Sequence, residues 1–205
     1  MIITKIVIFG PQLGNVKRIL AICKFDITKS SSKVKISHFR LENCKKSCGE
    51  IEPPKNSDSN GLTFYDIVEK DLQGNEIKFD IFRGKVVYLV NVASHCGYTE
   101  ENYAEFRSLN RRFKDQPFEI VLAPCNAFGN QEPGDEVAIE NFAKNKGFKG
   151  TILSKAEVNG EDTRPSFQFL KALTGKSQIV WFVFIEALNS DLEYNDLDSV
   201  LCCAL

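Results

Sequence analysis

The stretch Lys85 to Val92, KVVYLVNV, constrains this chain more than any other. Its apolar residues fall on consecutive positions, so it is not a strand with one wet face. It reads as a strand covered on both sides, the kind found in parallel sheets flanked by helices. Phe118 to Leu122, FEIVL, repeats the pattern, and Ile179 to Ile185, IVWFVFI, is a third strongly apolar strand. Between the first two, residues 99–114 carry Tyr103, Phe106, Leu109 and Phe113 at close to helical spacing. Further helices are predicted over 137–146 and 165–173, with an extended segment over 151–158. Upstream, 63–68 and 77–82 read as a β-hairpin around Gln73-Gly74-Asn75. Strand, helix, strand with a right-handed crossover predicts an α/β sheet covered by helices.

This pattern occupies residues 59–205, read as one domain. Residues 1–58 read differently. From Asp26 onward they are rich in Ser, Lys, Asn and Pro, with KSSSK at 29–33 and PPKNSDSNG at 53–61. That composition offers little apolar surface to offset ordering entropy, so 1–58 is predicted to be a poorly ordered leader. The corresponding expectation is that a chain of residues 59–205 unfolds at nearly the same temperature as the full chain. Thermal unfolding of the two checks it, and a large loss of stability in the shorter chain refutes it.

Hydrophobic residues make up 43% and charged residues 26%, with a net charge of -1. Nothing in that balance favours nucleic acid or an anionic membrane surface. No stretch approaches the apolar length of a membrane span. Residues 2–9 are apolar but short and interrupted by Lys5, and Lys17 and Arg18 follow, a poor secretory signal. A cytoplasmic location is the reading, with secretory or organellar targeting by the N-terminus left open. The seven cysteines are Cys23, Cys44, Cys48, Cys96, Cys125, Cys202 and Cys203. With irregular spacings, no CxxC pair and only two histidines, they predict neither a zinc site nor a closed disulfide framework. Mostly free thiols in a reducing compartment is the simplest account.

One cysteine stands where chemistry gathers in such sheets. Cys96 follows the first buried strand and precedes the helix, beyond the carboxyl end of the strand. Unpaired amides and the helix dipole there favour a thiolate, which is the nucleophilic form. Thr99 is the predicted N-cap, with Glu100 and Glu101 in the first turn. Position alone leaves a packed structural cysteine open beside a nucleophile.

The surrounding residues carry a resemblance. NVASHCGYTEENY at 91–103 is similar to the glutathione peroxidase signature, which has Cys or selenocysteine at the position of Cys96. APCNAFGNQEPG at 123–134 resembles that family's second block, and Val158-Asn159-Gly160 resembles a third. The resemblance implies a thioredoxin-like fold, with a central mixed sheet flanked by helices and an N-terminal β-hairpin. It implies a catalytic set of Cys96, Gln131 and Trp181, the last being the sole tryptophan. Read without the family, Trp181 is core packing. The amide of Gln131 and the indole N–H of Trp181 are donors for a thiolate or a developing alkoxide. The three are expected to converge in space.

The implied activity is a thiol-dependent peroxidase that reduces hydrogen peroxide or organic hydroperoxides through a Cys96 sulfenic acid, in response to oxidative stress. Neither a metal nor an organic cofactor is implied; glutathione or a thioredoxin-like protein serves as reductant. The alternative is a weakly active redox sensor or interaction protein that uses Cys96 oxidation as a signal. Several residues depart from the pattern. Phe182 stands where the family has Asn, removing a donor. Ala123 and Ala127 replace Phe and Gln, and EALNSDLEYNDLDSVLCCAL replaces the family's last strand and helix. The C-terminal end of the sheet is therefore expected to be shortened or altered. The resolving cysteine of many cysteine-type members is expected at about Ala143, where this chain has none. Cys125 reads as packed at the strand end, a minor candidate for resolving.

Overall fold

The computed structural model describes residues 5–8, 20–23, 61–175 and 177–179. Its centre is β5 (Val86–Val92), all seven residues of which are buried. β5 runs parallel to β6 (Phe118–Pro124), in register from Val86 opposite Phe118 to Val92 opposite Pro124. The link between them is α1 (Thr99–Arg112), as the helical spacing predicts. β7 (Thr151–Ile152) adds to the far side of β6 in parallel, much shorter than the extended stretch expected over 151–158. Gly150 leads into it with φ +153; a Cβ there would meet the Ile120 carbonyl oxygen at 2.6 Å, so only glycine permits this approach.

Alternation along β5 and β6 divides the core into two layers. Val86, Tyr88, Val90 and Val92, with Ile120 and Leu122, pack with Tyr103, Phe106, Leu109 and Phe113 on and just beyond α1. Ala143 of α2 (Glu136–Asn145) and Phe148 complete that layer. Val87, Leu89, Val121 and Ala123 face the other way. They meet Phe167, Phe169 and Leu170 of α3 (Pro165–Thr174) and the hairpin residues Phe64, Ile67, Phe79 and Phe82. Each fully buried Val or Leu contributes about 2 kcal/mol relative to exposure. A nearly unbroken apolar run is what such a doubly covered strand needs.

The expected hairpin is present, with its strands displaced inward. β3 (Val68–Lys70) pairs antiparallel with β4 (Glu76–Lys78), while Phe64–Asp66 and Phe79–Phe82 form 3-10 turns. The Asp66 carboxylate accepts hydrogen bonds from the Thr63 N–H and hydroxyl, which favours a turn over an extended start. At the tip, the Asp71 carboxylate accepts from the Asn75 side-chain amide at 3.0 Å and from the Asn75 and Gln73 backbone N–H groups, and these bonds hold its carboxyl below the usual range.

Two short strands from residues 1–58 enter the sheet. β1 (Lys5–Ile8) pairs antiparallel with β5, and β2 (Leu20–Cys23) pairs antiparallel with β1. The five-stranded order is β2-β1-β5-β6-β7, a mixed sheet. Comparing the unfolding of 59–205 with the full chain therefore also measures what these pairings add. The strand expected over 179–185 is described only at Ile179. The Ile179 N–H donates to Asn159 Oδ1 at 2.7 Å, and Asn159 Nδ2 donates to the Ile179 carbonyl at 2.5 Å. One amide side chain thus grips both backbone groups of the residue that opens that segment.

Candidate active site

Cys96 lies in the turn between β5 and α1, four positions past Val92, and is 7% exposed. The turn is held by its own backbone. The Thr99 N–H donates to the Cys96 carbonyl at 3.1 Å, and the Tyr98 N–H points at the Cys96 sulfur, 3.4 Å away. Tyr98, not Thr99, is the N-cap residue of α1. Thr99 is already helical, and its hydroxyl donates instead to the Ala93 carbonyl at 2.7 Å, closing the turn across its base. The correction has a simple cause: the turn folds back so tightly that the threonine hydroxyl meets the strand end before it meets the helix amides. Asn102 reinforces the helix start by donating its side-chain amide to the Tyr98 carbonyl at 2.7 Å. The sulfur thus sits at the amino end of α1, with the Tyr98 N–H directed at it.

The second motif block packs against this turn. Past β6 the chain bends through Gly129 and Asn130, both at positive φ (64 and 51), a conformation that glycine and asparagine tolerate. The bend returns Gln131 to the cysteine turn, where its carbonyl accepts the His95 N–H at 2.9 Å. The backbone of Gln131 is thus bound to the residue next to the cysteine. The Gln131 side-chain oxygen is buried and has no hydrogen-bond partner among the described residues. Trp181 and Phe182, the other positions singled out by sequence, lie outside the described residues.

Two polar residues at this site escape sequence reasoning. Glu132 is buried to 2% exposure, and its carboxylate accepts the Ser94 N–H at 2.8 Å. Asn126 Oδ1 accepts the Glu132 N–H at 2.8 Å and so braces the returning chain. Burial raises the Glu132 carboxyl above its ordinary range; hydrogen bonds from Ser94 and the charges of Lys155 and His95 oppose that rise in part. The available signal was the position of both residues inside the second motif block, beside Gln131. A turn that folds back on another loop needs acceptors for that loop's amides.

Cys125 occupies a different environment. Its N–H donates to the Val92 carbonyl at 3.1 Å, and its sulfur joins the core layer containing Val87 and Leu89. Burial pushes its thiol up, which favours the unreactive protonated form. The position expected for a resolving cysteine, Ala143, is buried on α2 against the other layer.

A mixed α/β sheet with helices on both faces and a cysteine at a strand-to-helix turn is a thioredoxin-like arrangement. The glutathione peroxidase family model matches residues 64–171, more than half of the sequence, and the chain belongs to the glutathione peroxidase family of peroxidase-type oxidoreductases. It is 44% identical over 115 residues to a probable phospholipid hydroperoxide glutathione peroxidase of Mesembryanthemum crystallinum, covering 55% of this chain and 67% of that protein. It is 41% identical over 135 residues to glutathione peroxidase 1 of Helianthus annuus, covering 65% and 74%. A putative chloroplastic glutathione peroxidase 7 of Arabidopsis thaliana is 45% identical over 113 residues, 54% of this chain but only 48% of that protein. The chain thus spans from about half to three quarters of the length of these relatives.

Proposed function

We propose that this chain is a thiol-dependent peroxidase in which Cys96 is the nucleophile. The observation that carries the reading is the Tyr98 N–H directed at a Cys96 sulfur held at the start of α1. In the first step the Cys96 thiolate attacks one peroxide oxygen. The O–O bond breaks, the sulfur is oxidised to a sulfenic acid, and the departing alkoxide or hydroxide takes a proton to leave as alcohol or water. A thiol then condenses with the sulfenic acid, releasing water and forming a mixed disulfide. A second thiol displaces Cys96 by exchange, so the two thiols supply the two electrons. The reductant is glutathione or a thioredoxin-like protein, and parallel assays with each distinguish them. One relative is named a probable phospholipid hydroperoxide glutathione peroxidase, which supports including organic hydroperoxides among the substrates. No helix among the described residues is long and apolar enough to cross a membrane. The chloroplastic relative keeps an organellar location beside the cytoplasmic reading.

In this scheme Gln131 donates its side-chain amide to the sulfur or to the departing oxygen, with Trp181 as a second donor. The Gln131 backbone, bound through its carbonyl to the His95 N–H beside the cysteine, supports this placement. Gln131→Ala is expected to slow Cys96 oxidation by hydrogen peroxide roughly 100-fold, the scale for loss of one preorganised donor. Stopped-flow oxidation of the reduced protein measures it. A rate within a factor of two of the parent removes Gln131 from the catalytic set.

A further inference from the structure

We propose that Glu132 is a positioning residue for Cys96, clamping the cysteine turn to the returning chain by accepting the Ser94 N–H. The clamp has two teeth, since the Ser94 amide goes to the Glu132 carboxylate at 2.8 Å and the His95 amide goes to the Gln131 carbonyl at 2.9 Å. Consecutive amides, just before the cysteine, are thus tied to consecutive residues of the second block. Glu132 is itself fixed from behind, its N–H bound to Asn126 Oδ1 and its carbonyl 3.4 Å from Lys155 Nζ, which also donates to the Gly134 carbonyl. A residue buried to 2% exposure and braced this way leaves the Ser94 amide little freedom. Its link to peroxide rests on the Cys96 reading given above; the clamp itself does not.

The charge state of the clamp matters. The charged and titratable groups bearing on the carboxyl are Lys155, His95 and Tyr103. An ionised carboxylate holds an amide more strongly than a neutral acid does. The bond to Ser94 is therefore strongest above the Glu132 titration and weakens as pH falls through it. Global stability runs the opposite way. A carboxyl raised by burial favours folding below its unfolded pKa, and that contribution is lost as pH rises through the folded value. Loosening of the cysteine turn without loss of the fold is the signature of a positioning role, and a purely structural glutamate does not give it.

The test uses the full chain as parent, Glu132→Gln and Glu132→Ala, followed by amide hydrogen exchange at Ser94 and by thermal unfolding. Glu132→Gln is expected to unfold at the same temperature or higher, while Ser94 protection at neutral pH falls about tenfold, the ratio between a charge-assisted and a neutral hydrogen bond. Protection at Ser94 should fall on acidification in the parent and stay flat in Glu132→Gln, after correction for intrinsic exchange. The rate of Cys96 oxidation by hydrogen peroxide should follow Ser94 protection across the series. Unchanged Ser94 protection in the glutamine variant overturns the proposal, as does a loss spread equally over β5 and α1. If Glu132→Ala does not fold, Glu132→Gln alone decides. If Ser94 protection follows Glu132 while the parent fails to consume peroxide, the clamp stands and the peroxidase reading fails.

Discussion

Replacing Cys96 by serine is expected to abolish peroxide consumption, by on the order of 1,000-fold or more, the scale for removing a covalent nucleophile. A serine hydroxyl is not ionised at neutral pH and forms no sulfenic acid, so neither half of the cycle proceeds. The fold should survive. Cys96 lies in a turn whose bonds are made by backbone groups of Ser94, His95 and Thr99, and the exchange of sulfur for oxygen leaves those bonds in place. Unfolding is expected to shift by about 1 kcal/mol or less. Cys125→Ala provides the contrast. Its thiol is buried in the opposite layer and raised by that burial, so peroxide consumption should remain within a few-fold of the parent. Consumption of hydrogen peroxide with excess thiol, on melt-matched proteins, reads both. Substantial turnover by Cys96→Ser would falsify the assignment of the nucleophile.

The largest expected loss of stability comes from a pair far from the cysteine in sequence. Glu69 on β3 and Arg164 at the start of α3 are 3% and 1% exposed at their side chains and form a two-point ion pair, with contacts of 2.8 to 3.2 Å. Glu69 also accepts the Ser166 N–H at 3.0 Å and its hydroxyl at 2.6 Å, placing a carboxylate at the positive end of α3. The hairpin is thereby bolted to the helix that closes one core layer. Removing one partner leaves the other charge buried without compensation, a cost of about 3–5 kcal/mol. Glu69→Ala is therefore expected to lower the melting temperature by roughly 10 °C, at about 2–4 °C per kcal/mol for a chain this size. The double substitution Glu69→Leu with Arg164→Met should cost less than the two single changes together, because it leaves no orphaned charge. Denaturant unfolding of the four proteins tests the coupling. Single variants that lose under 1 kcal/mol would show the pair to be incidental.

Much of this architecture was legible before any coordinates. The apolar runs at 86–90 and 120–122 became the doubly covered stretches of β5 and β6, because a strand covered on both faces demands such a run. The spacing of Tyr103, Phe106, Leu109 and Phe113 gave the buried face of α1 because helical periodicity is local. The hairpin was legible in existence and displaced in extent, since side-chain bonds from Asp66 converted an expected strand into a turn.

Composition set residues 1–58 apart from the rest, but pairing between distant segments is not written in composition. The antiparallel addition of β1 to β5 depends on which sheet edge is open to a passing strand, a property of the assembled sheet. The site divides along the same line. Sequence by itself marked Cys96 as the candidate nucleophile, because a strand-to-helix turn and its motif are contiguous. Only the tertiary structure decided what holds the turn. Glu132 lies 38 residues from Ser94, and Arg164 lies 95 from Glu69, and their bonds exist only once separate loops are folded together. Hydrophobic periodicity reports which side of an element is buried; it does not report which buried donor meets which acceptor, because that match is made across the core, between elements distant in the chain.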